Sequence, residues 1–149
     1  MAGSATLVAA AVPGGIASAT ILTSSCTTLT GNATTQHLSG CSGTALALTG
    51  TTGTITVVNH PATKTGVATI KWATAKTTIE SYSYSELTGT SDKCPKHGTL
   101  SPIAEAKEKG TVTGGTATAM KGGTFTSTAC AYAPSKGVLE IFNMGPVTQ

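Results

Sequence analysis

The chain has 149 residues, enough for one domain with a buried core, and its net charge of +3 comes entirely from lysine because the sequence contains no arginine. Only 10% of the residues are charged and 4% are aromatic, so the chain lacks the guanidinium groups and stacking surfaces that usually bind nucleic acid. Threonine occurs 31 times, and its β-branched side chain suits a strand better than a helix. The composition therefore predicts an all-β domain with a hydroxyl-rich surface.

Residues 1–19 have the composition of an export signal. The run "ATLVAAAVPGGIASA" is apolar and ends in a small-x-small sequence typical of a cleavage site, although no Lys or Arg precedes it. Proline and glycine interrupt the run, which is also too short for a transmembrane helix. We expect 1–19 to be a signal-peptide-like segment and 20–149 to be a single β domain. The alternative is that the segment is retained as a strand.

From residue 20 onward, apolar and polar residues alternate in short runs separated by glycine, as in antiparallel strands. No stretch keeps apolar residues at helical spacing for three turns. The predicted strands are 20–30, 35–41, 44–49, 53–59, 66–74, 77–87, 109–119 and 124–132, with a closing strand near 138–143. About eight antiparallel strands predict a barrel or a sandwich.

The alternation also assigns faces to the strands. In "GVATIKWA", Ala68, Ile70 and Trp72 share one face, which we predict to be in the core. The strand at 77–87 has a serine face and a face with two tyrosines between two glutamates. Either face can be the inner one, and the charged glutamates indicate that the tyrosines point outward or lie at a rim. The members of the tyrosine face are Glu80, Tyr82, Tyr84 and Glu86.

The segment 101–110, "SPIAEAKEKG", is the one stretch with helix-forming composition. Ten residues are few for an independent helix, so we interpret it as a surface turn or the approach to a strand. The following segment, 111–133, predicts a hairpin, with a bulge at its first glycine pair and a turn at the second. On the returning strand, one face carries Phe125, Ser127, Ala129 and Ala131.

Six short motifs extend over most of the chain after residue 26: "CTTLTGN", "LSGC", "GVATIKWA", "CPKHGT", "KGTVTGGT" and "STACAY". They resemble motifs of a group of small secreted actinobacterial proteins that have no assigned activity. The resemblance implies export and an all-β domain. It implies no catalytic residue.

Four cysteines, an even number, predict two disulfides in an exported domain. Their order along the chain favours Cys26 with Cys41 and Cys94 with Cys130, among three possible pairings. The spacing of Cys94 and His97 also fits half of a metal site, with His37 and His60 elsewhere. A zinc site normally needs paired short spacings of free thiolates, so we expect disulfides, no metal and no cofactor.

The sequence contains few candidates for catalytic residues. Asp92 is the one aspartate and lies near His97 on a polar segment, but the chain has no G-x-S-x-G nucleophile motif. A glycosidase pair of carboxylates is another possibility, although such sites usually lie in clefts lined with aromatic residues. The candidates for it are Glu80, Glu86, Glu105, Glu108 and Glu140.

We therefore expect a non-enzymatic binding or structural module of the cell envelope or extracellular space, with polysaccharide or copies of itself as partners. One alternative is a self-assembling surface filament in which residues 5–22 add to the open sheet of a neighbour as a donor strand. A second is a secreted hydrolase. The T-x-T steps, which begin at residues 54, 111, 116 and 124, are too irregular for the periodic hydroxyl array of an ice-binding or crystal-binding face.

Overall fold

The computed structural model describes residues 20–88, 94–134 and 137–149. In this part of the chain almost all regular structure is antiparallel β-strand, as the sequence predicts. The helical elements there are two single turns, the α-helix α1 at Leu46–Thr49 and a 3-10 turn at Thr118–Met120. The strands are β1 Ser25–Asn32, β2 Thr35–Ser42, β3 Thr52–His60, β4 Thr65–Trp72, β5 Thr77–Thr88, β6 Pro102–Gly114, β7 Thr124–Tyr132, β8 Glu140–Asn143 and β9 Val147–Thr148.

The strands form one sheet that closes into a barrel. Each strand from β1 to β8 pairs antiparallel with the next, and β8 pairs with β1, for example through Gly31 opposite Ile141. The short β9 continues the line of β8, because it also lies between β1 and β7. Gly145 and Pro146 separate the two pieces, and proline cannot donate a hydrogen bond to a neighbouring strand. Of the two predicted architectures, the structure is therefore the closed barrel.

The predicted strand at 44–49 is wrong, because this segment contains α1. Its alternating pattern fits a strand, but the segment connects two strands that already have their partners. Thr49 N donates to Ala45 O over 3.0 Å, and both residues are fully buried. Gly43 begins the turn with φ at +126°, where an added Cβ would lie 2.5 Å from Thr23 O. The segment thereby folds across one end of the barrel and covers it.

The segment 101–110 is a strand despite its helix-forming composition. Of the two interpretations, the approach to a strand is the closer one, but β6 begins at Pro102 rather than near residue 109. It pairs with β5 on one side and with β7 on the other. Two rows of inter-strand hydrogen bonds outweigh the weak preference of a short segment for helix.

The inner face of β4 is the one that the alternation predicts, and on β7 the structure assigns one of the two faces to the interior. Ala68, Ile70 and Trp72 are at most 3% exposed, while Thr69 and Lys71 face the solvent. This arrangement places Trp72 in the main core, where it is one of the largest fully buried side chains. The inward residues of β7 are Phe125, Ser127, Ala129 and Ala131.

The prediction for the tyrosine face of β5 is wrong, because this face points into the barrel. Glu80 is 0% exposed and Tyr82 is 5% exposed, whereas the serine face is exposed. Gly66 on β4 and Gly110 on β6 lie directly opposite Tyr82, so no side chain from either neighbour competes with its ring. The ring centroid lies 5.7 Å from that of Phe125. The two glycines provide the space that a tyrosine needs inside a small barrel.

Two disulfides join the cysteines in the predicted pairs. Cys26 of β1 is bonded to Cys41, its direct neighbour on β2, and both lie in the main core. Cys94 is bonded to Cys130 on the outer side of β7, so it ties the connection between β5 and β6 to the barrel wall. Because its sulfur is in a disulfide, Cys94 is not a metal ligand in this structure.

Candidate functional site

The two ends of the barrel differ, and the described chain closes one of them. At the closed end, Ala45, Ala117 and Met120 are at most 1% exposed and belong to the main core. The N-terminal approach to β1 adds to this cover, since Leu22 N donates to Ala119 O over 2.9 Å. At the opposite end, which we call the mouth, the described chain leaves an opening, bordered by the β1–β2 and β3–β4 connections and by the described parts of the β5–β6 and β7–β8 connections.

A cavity of about 190 Å³ opens at the mouth. Its walls include alanines of two neighbouring strands, because the register places Ala104 opposite Ala131 and Ala106 opposite Ala129. These small side chains leave the interior unfilled at this level, whereas large side chains such as Trp72 fill the closed half. The other apolar walls are Ala33, Ile103, Leu139 and Ile141.

A few polar side chains also face the cavity. Asn59 accepts a hydrogen bond from the Tyr82 hydroxyl at its Oδ1, over 2.8 Å, which fixes the orientation of the amide. Glu108 lies opposite Tyr84 on β5 and Ser127 on β7. The polar residues of the lining are Gln36, Asn59, Tyr84, Glu86 and Glu108.

Lys64, in the β3–β4 connection, holds its ammonium group at the rim of the mouth. Its Nζ lies 2.5 Å from Glu86 Oε2 and 5.6 Å from the centroid of the Tyr84 ring. Its carbonyl oxygen accepts a hydrogen bond from Tyr84 N over 2.9 Å, which anchors the connection to β5. The hydrogen bond to Glu86 raises the pKa of Lys64. A carboxylate and an aromatic face thus hold a cation at the rim.

Glu108 is the ionisable group at the inner part of the cavity. Burial raises its pKa from an ordinary value of 4.5 to about 7, because a carboxyl group that is removed from water disfavours its charged form. Between the described residues there are two ion pairs, and neither of them includes Glu108. Near neutral pH the carboxyl group therefore changes between its neutral and its ionised form.

Glu80 lies deeper, beyond Tyr82. Its side chain is 0% exposed, and neither carboxyl oxygen makes a hydrogen bond to the described part of the chain. Burial, and then the charge of Glu108, raise its pKa well above the ordinary value. Burial also raises the pKa of Tyr82. Burial therefore favours the neutral form of Glu80, which does not line the cavity.

The raised pKa of Glu108 predicts a pH-dependent stability. The unfolded chain loses this proton near pH 4.5 and the folded chain near pH 7, so unfolding releases a proton between these values. The free energy of unfolding should fall by about 3 kcal/mol as the pH rises through this window. Glu108→Gln should remove this part of the dependence of the free energy of unfolding on pH. Urea denaturation at a series of pH values measures the dependence.

Glu140→Gln is the matched control, because Glu140 lies between two cavity residues, Leu139 and Ile141, and therefore points to the other side of β8. This variant should keep the slope of the original chain, to which Glu80 also contributes. Equal slopes for Glu108→Gln and the original chain would contradict the burial of an ionisable carboxyl group at this position.

The described histidines, which were the candidates for hydrolytic chemistry, lie at separate places on the outside of the barrel. His97 lies on the outer surface, where its ring stacks on Phe142 with the centroids 3.6 Å apart. Asp92 lies outside the described residues. His37 and His60 are exposed on the outside of other parts of the barrel. In the described segments, no group of three or more His, Cys, Asp or Glu residues is placed to hold a metal ion.

The five candidate glutamates are divided between the two sides of the barrel wall. Glu80, Glu86 and Glu108 are on inner faces, as described above. Glu105 is buried on the outer side of β6, opposite Cys130 and 3.9 Å from Lys107 Nζ. Only the inner glutamates lie near the cavity, and two of them line it.

The threonines of the T-x-T steps are all exposed on the outer surface. They lie on β3, on β6 and β7, and in the turn between these two, and β3 is not a neighbour of β6. They form no continuous array across the described sheet. The residues are Thr54, Thr56, Thr111, Thr113, Thr116, Thr118, Thr124 and Thr126.

A wider depression of about 520 Å³ crosses the outer faces of β5, β6 and β7. Exposed side chains such as Ser83, Lys107 and Thr126 border it, and it is open to solvent along its length. It has more volume than the mouth cavity, but it has few apolar walls to enclose a ligand. The mouth cavity is therefore the better candidate site.

Residue-by-residue reasoning missed most of this site. The flanking glutamates favour an outward or rim position for Tyr84, and Gln36, Asn59 and Lys64 belong to no motif. One signal was present in the sequence, because alanines alternate with other residues at 104 and 106 and again at 129 and 131. Small residues at alternate places on two paired strands leave a gap in the interior.

Comparisons with known proteins returned no match, since no family model, curated protein or solved structure matches this chain. The function must therefore be argued from the site itself. The segments that the structure describes also contain no helix with the length and apolar character needed to cross a membrane.

Proposed function

We propose that this chain is an exported, non-enzymatic binding module of the cell envelope or extracellular space, and that the mouth of its barrel binds a small molecule. The observation that carries the proposal is the cavity of about 190 Å³, in which apolar walls surround a few fixed polar groups. This combination is typical of small-molecule sites. The volume lies below the roughly 300–1,000 Å³ of drug-sized pockets, so the ligand is small or inserts one end.

Export has support that does not depend on the cavity. The described residues contain two disulfides and no free cysteine, and disulfides persist mainly in oxidising compartments. Residues 1–19, which lie outside the described part of the chain, have a signal-like composition. The resemblance to secreted actinobacterial proteins favours the same location.

The lining favours binding over hydrolysis. Among the described residues that line the cavity there is no histidine, serine, threonine or cysteine, and so no Ser–His or Cys–His pair of nucleophile and base. One observation favours a hydrolase as second candidate, because Glu86 and Glu108 both line the cavity and glycosidases use a pair of carboxyl groups. Glu86 is already paired with Lys64, however, so Glu108 is the one carboxyl group of the lining without a cationic partner among the described residues.

Self-assembly through a donor strand has less support. It needs an open sheet edge, and every described strand of the barrel has a neighbour on both sides. The outer surface is rich in exposed threonine, and that composition suits contact with polysaccharide or with other copies of the chain. Such contacts would be separate from the mouth cavity.

Filling the cavity should abolish binding at the mouth. Leucine in place of Ala106 adds three carbon atoms to the wall, whereas Thr111→Leu adds a leucine to the exposed side of the same strand. Four probe compounds would be titrated into each protein: benzylamine, benzyl alcohol, benzoate and glucose. Backbone amide shifts in NMR spectra report where each compound binds. We expect at least one compound to shift amides around the mouth in the original chain and in Thr111→Leu, but not in Ala106→Leu.

Two other outcomes of this experiment would be informative. Binding that is confined to the outer faces of the strands, or that is unchanged in Ala106→Leu, would contradict the proposal. Cleavage of glycoside substrates that is lost in Glu108→Gln would instead favour the hydrolase.

A further inference from the structure

The chemistry of the mouth selects among small molecules by charge. Two carboxyl groups line the cavity, Glu86 and Glu108, and no described lining residue is cationic. The two lysines that flank Glu108 along the strand, Lys107 and Lys109, are exposed on the outer side of the barrel. Glu86 is already paired with Lys64, so Glu108 is the carboxyl group that remains for a ligand. An anion beside Glu108 would have no positive partner on the described lining, whereas a cation would find its carboxyl group.

The chain itself already holds a cation against this lining. The ammonium group of Lys64 contacts Glu86 and lies over the face of Tyr84, within the roughly 6 Å at which a cation interacts with an aromatic ring. The arrangement places an ammonium group between a carboxylate and an aromatic ring at the rim. The inner carboxyl group, Glu108, lies opposite Tyr84 on the neighbouring strand and has no cationic partner in the described chain.

The rest of the cavity sets the shape of the ligand body. Paired alanines of β6 and β7 form one wall, and Leu139 and Ile141 form another. These walls offer dispersion contacts and no hydrogen bonds from side chains. A ligand that matches them has a compact apolar body.

We propose that the mouth cavity binds a small primary amine in its ammonium form, with the Glu108 carboxylate as counter-ion, the Tyr84 ring beside it and the alanine walls around its apolar body. This inference rests on the proposed function, because it names the ligand class for the same site. The Asn59 amide, which the Tyr82 hydroxyl holds in place, lies on the lining as a further polar contact.

Proton release should accompany binding. An ammonium group favours the ionised form of Glu108, whose pKa is otherwise raised by burial to about 7. The groups that face Glu108 from the adjoining strands are Tyr84, Tyr82, Glu80 and Glu86 of β5 and Ser127 of β7. None of these is a cation that already favours ionisation of Glu108. Binding below the pKa of Glu108 must therefore expel a proton, and affinity should increase as the pH rises.

The test compares benzylamine, benzyl alcohol and benzoate, which share a ring and differ in charge. Calorimetric titration at about pH 8 should show benzylamine binding about tenfold more tightly than benzyl alcohol, and benzoate more weakly than both. At about pH 6, titrations in buffers with different heats of ionisation should show net proton release on binding of benzylamine. NMR amide shifts should place the compound at the mouth.

Two variants distinguish the loss of the Glu108 carboxylate from the loss of a carboxylate elsewhere on the barrel. Glu108→Gln should reduce the affinity for benzylamine about tenfold, to that for benzyl alcohol, and abolish proton release. Glu140→Gln removes an equal charge from the other side of β8 and should change affinity less than about twofold. If Glu108→Gln does not fold, the proton release and the amine preference of the original chain still decide the question.

The failures of the two proposals are distinguishable. Binding of benzyl alcohol or benzoate at the mouth as tightly as benzylamine would refute the ammonium preference and leave the mouth as a binding site. Absence of amide shifts at the mouth with every compound would refute the binding site itself. Tight amine binding without proton release would show that Glu108 is not the counter-ion.

Discussion

Gly110→Ala is expected to lower the free energy of unfolding by roughly 3 kcal/mol, at the upper end of the range for overpacking. A Cβ at this position would lie 2.1 Å from Ser81 O and 2.6 Å from Tyr82 Cα. Both atoms belong to the backbone of β5, so they cannot move aside without separating the paired strands. The cost is steric, because the backbone of Gly110 is not in the left-handed region. Urea denaturation of Gly110→Ala and of the original chain measures the difference in the free energy of unfolding.

Gly114→Ala is the matched control on the same strand. A Cβ there would meet Ile79 side-chain atoms at 3.8 Å, which is ordinary van der Waals contact. We expect its stability to stay within about 1 kcal/mol of the original chain, since alanine also restricts the unfolded state. Equal stabilities of the two variants would contradict the register of β5 and β6, and with it the inward position of Tyr82.

The second large effect is the loss of a disulfide. Replacing Cys94 and Cys130 with alanine should lower the free energy of unfolding by about 4 kcal/mol, and replacing Cys26 and Cys41 by about 3 kcal/mol. The difference follows from the sequence separations of 36 and 15 residues, because the longer loop loses more chain entropy in the unfolded state. Either loss is a large share of a typical net stability of roughly 5–15 kcal/mol.

The two double variants serve as controls for each other. The Cys26–Cys41 bond lies within the β1–β2 pair, whereas the Cys94–Cys130 bond holds the β5–β6 connection against the outside of β7. Urea denaturation under non-reducing conditions measures both, and alkylation with mass analysis verifies the remaining bond. A change below about 1 kcal/mol in both double variants would show that the barrel does not depend on its disulfides.

Most strands and the cysteine pairs could be predicted from the local pattern of the sequence. Alternation with period two identified the face with Ala68, Ile70 and Trp72, because one side of that strand is clearly apolar. The order of the cysteines favoured the observed pairs among three possibilities. The face of a strand follows from residues that are close in sequence, and the cysteine pairs follow from the number and order of the cysteines. Neither inference requires knowledge of the fold.

The segments that were misassigned are those in which local preference is weak. At 44–49 the pattern favoured a strand, but the neighbouring strands already pair with one another and leave this segment to cover the barrel end. At 101–110 the composition favoured a helix or a turn, but β5 and β7 offered partners on both sides. Pairing over a whole sheet decides such cases, because propensities amount to about 1 kcal/mol or less per residue.

The site itself depends on register. The alanines that form the cavity wall are two residues apart in each strand, but only the pairing of Ala104 with Ala131 and of Ala106 with Ala129 places them at one level. Tyr82 likewise points inward because Gly66 and Gly110 lie opposite it on two different strands. No reading along the chain shows which residues are opposite each other.

The sequence alone therefore determined an all-β domain, the positions of most strands and the two covalent links, because these follow from side-chain alternation and composition. The tertiary structure decided that the sheet closes into a barrel, that the acidic and aromatic face of β5 is the inner one, and that a cavity remains at the mouth. The physical reason is that closure and register bring together residues from distant strands, and packing against those partners outweighs the polarity of a single strand.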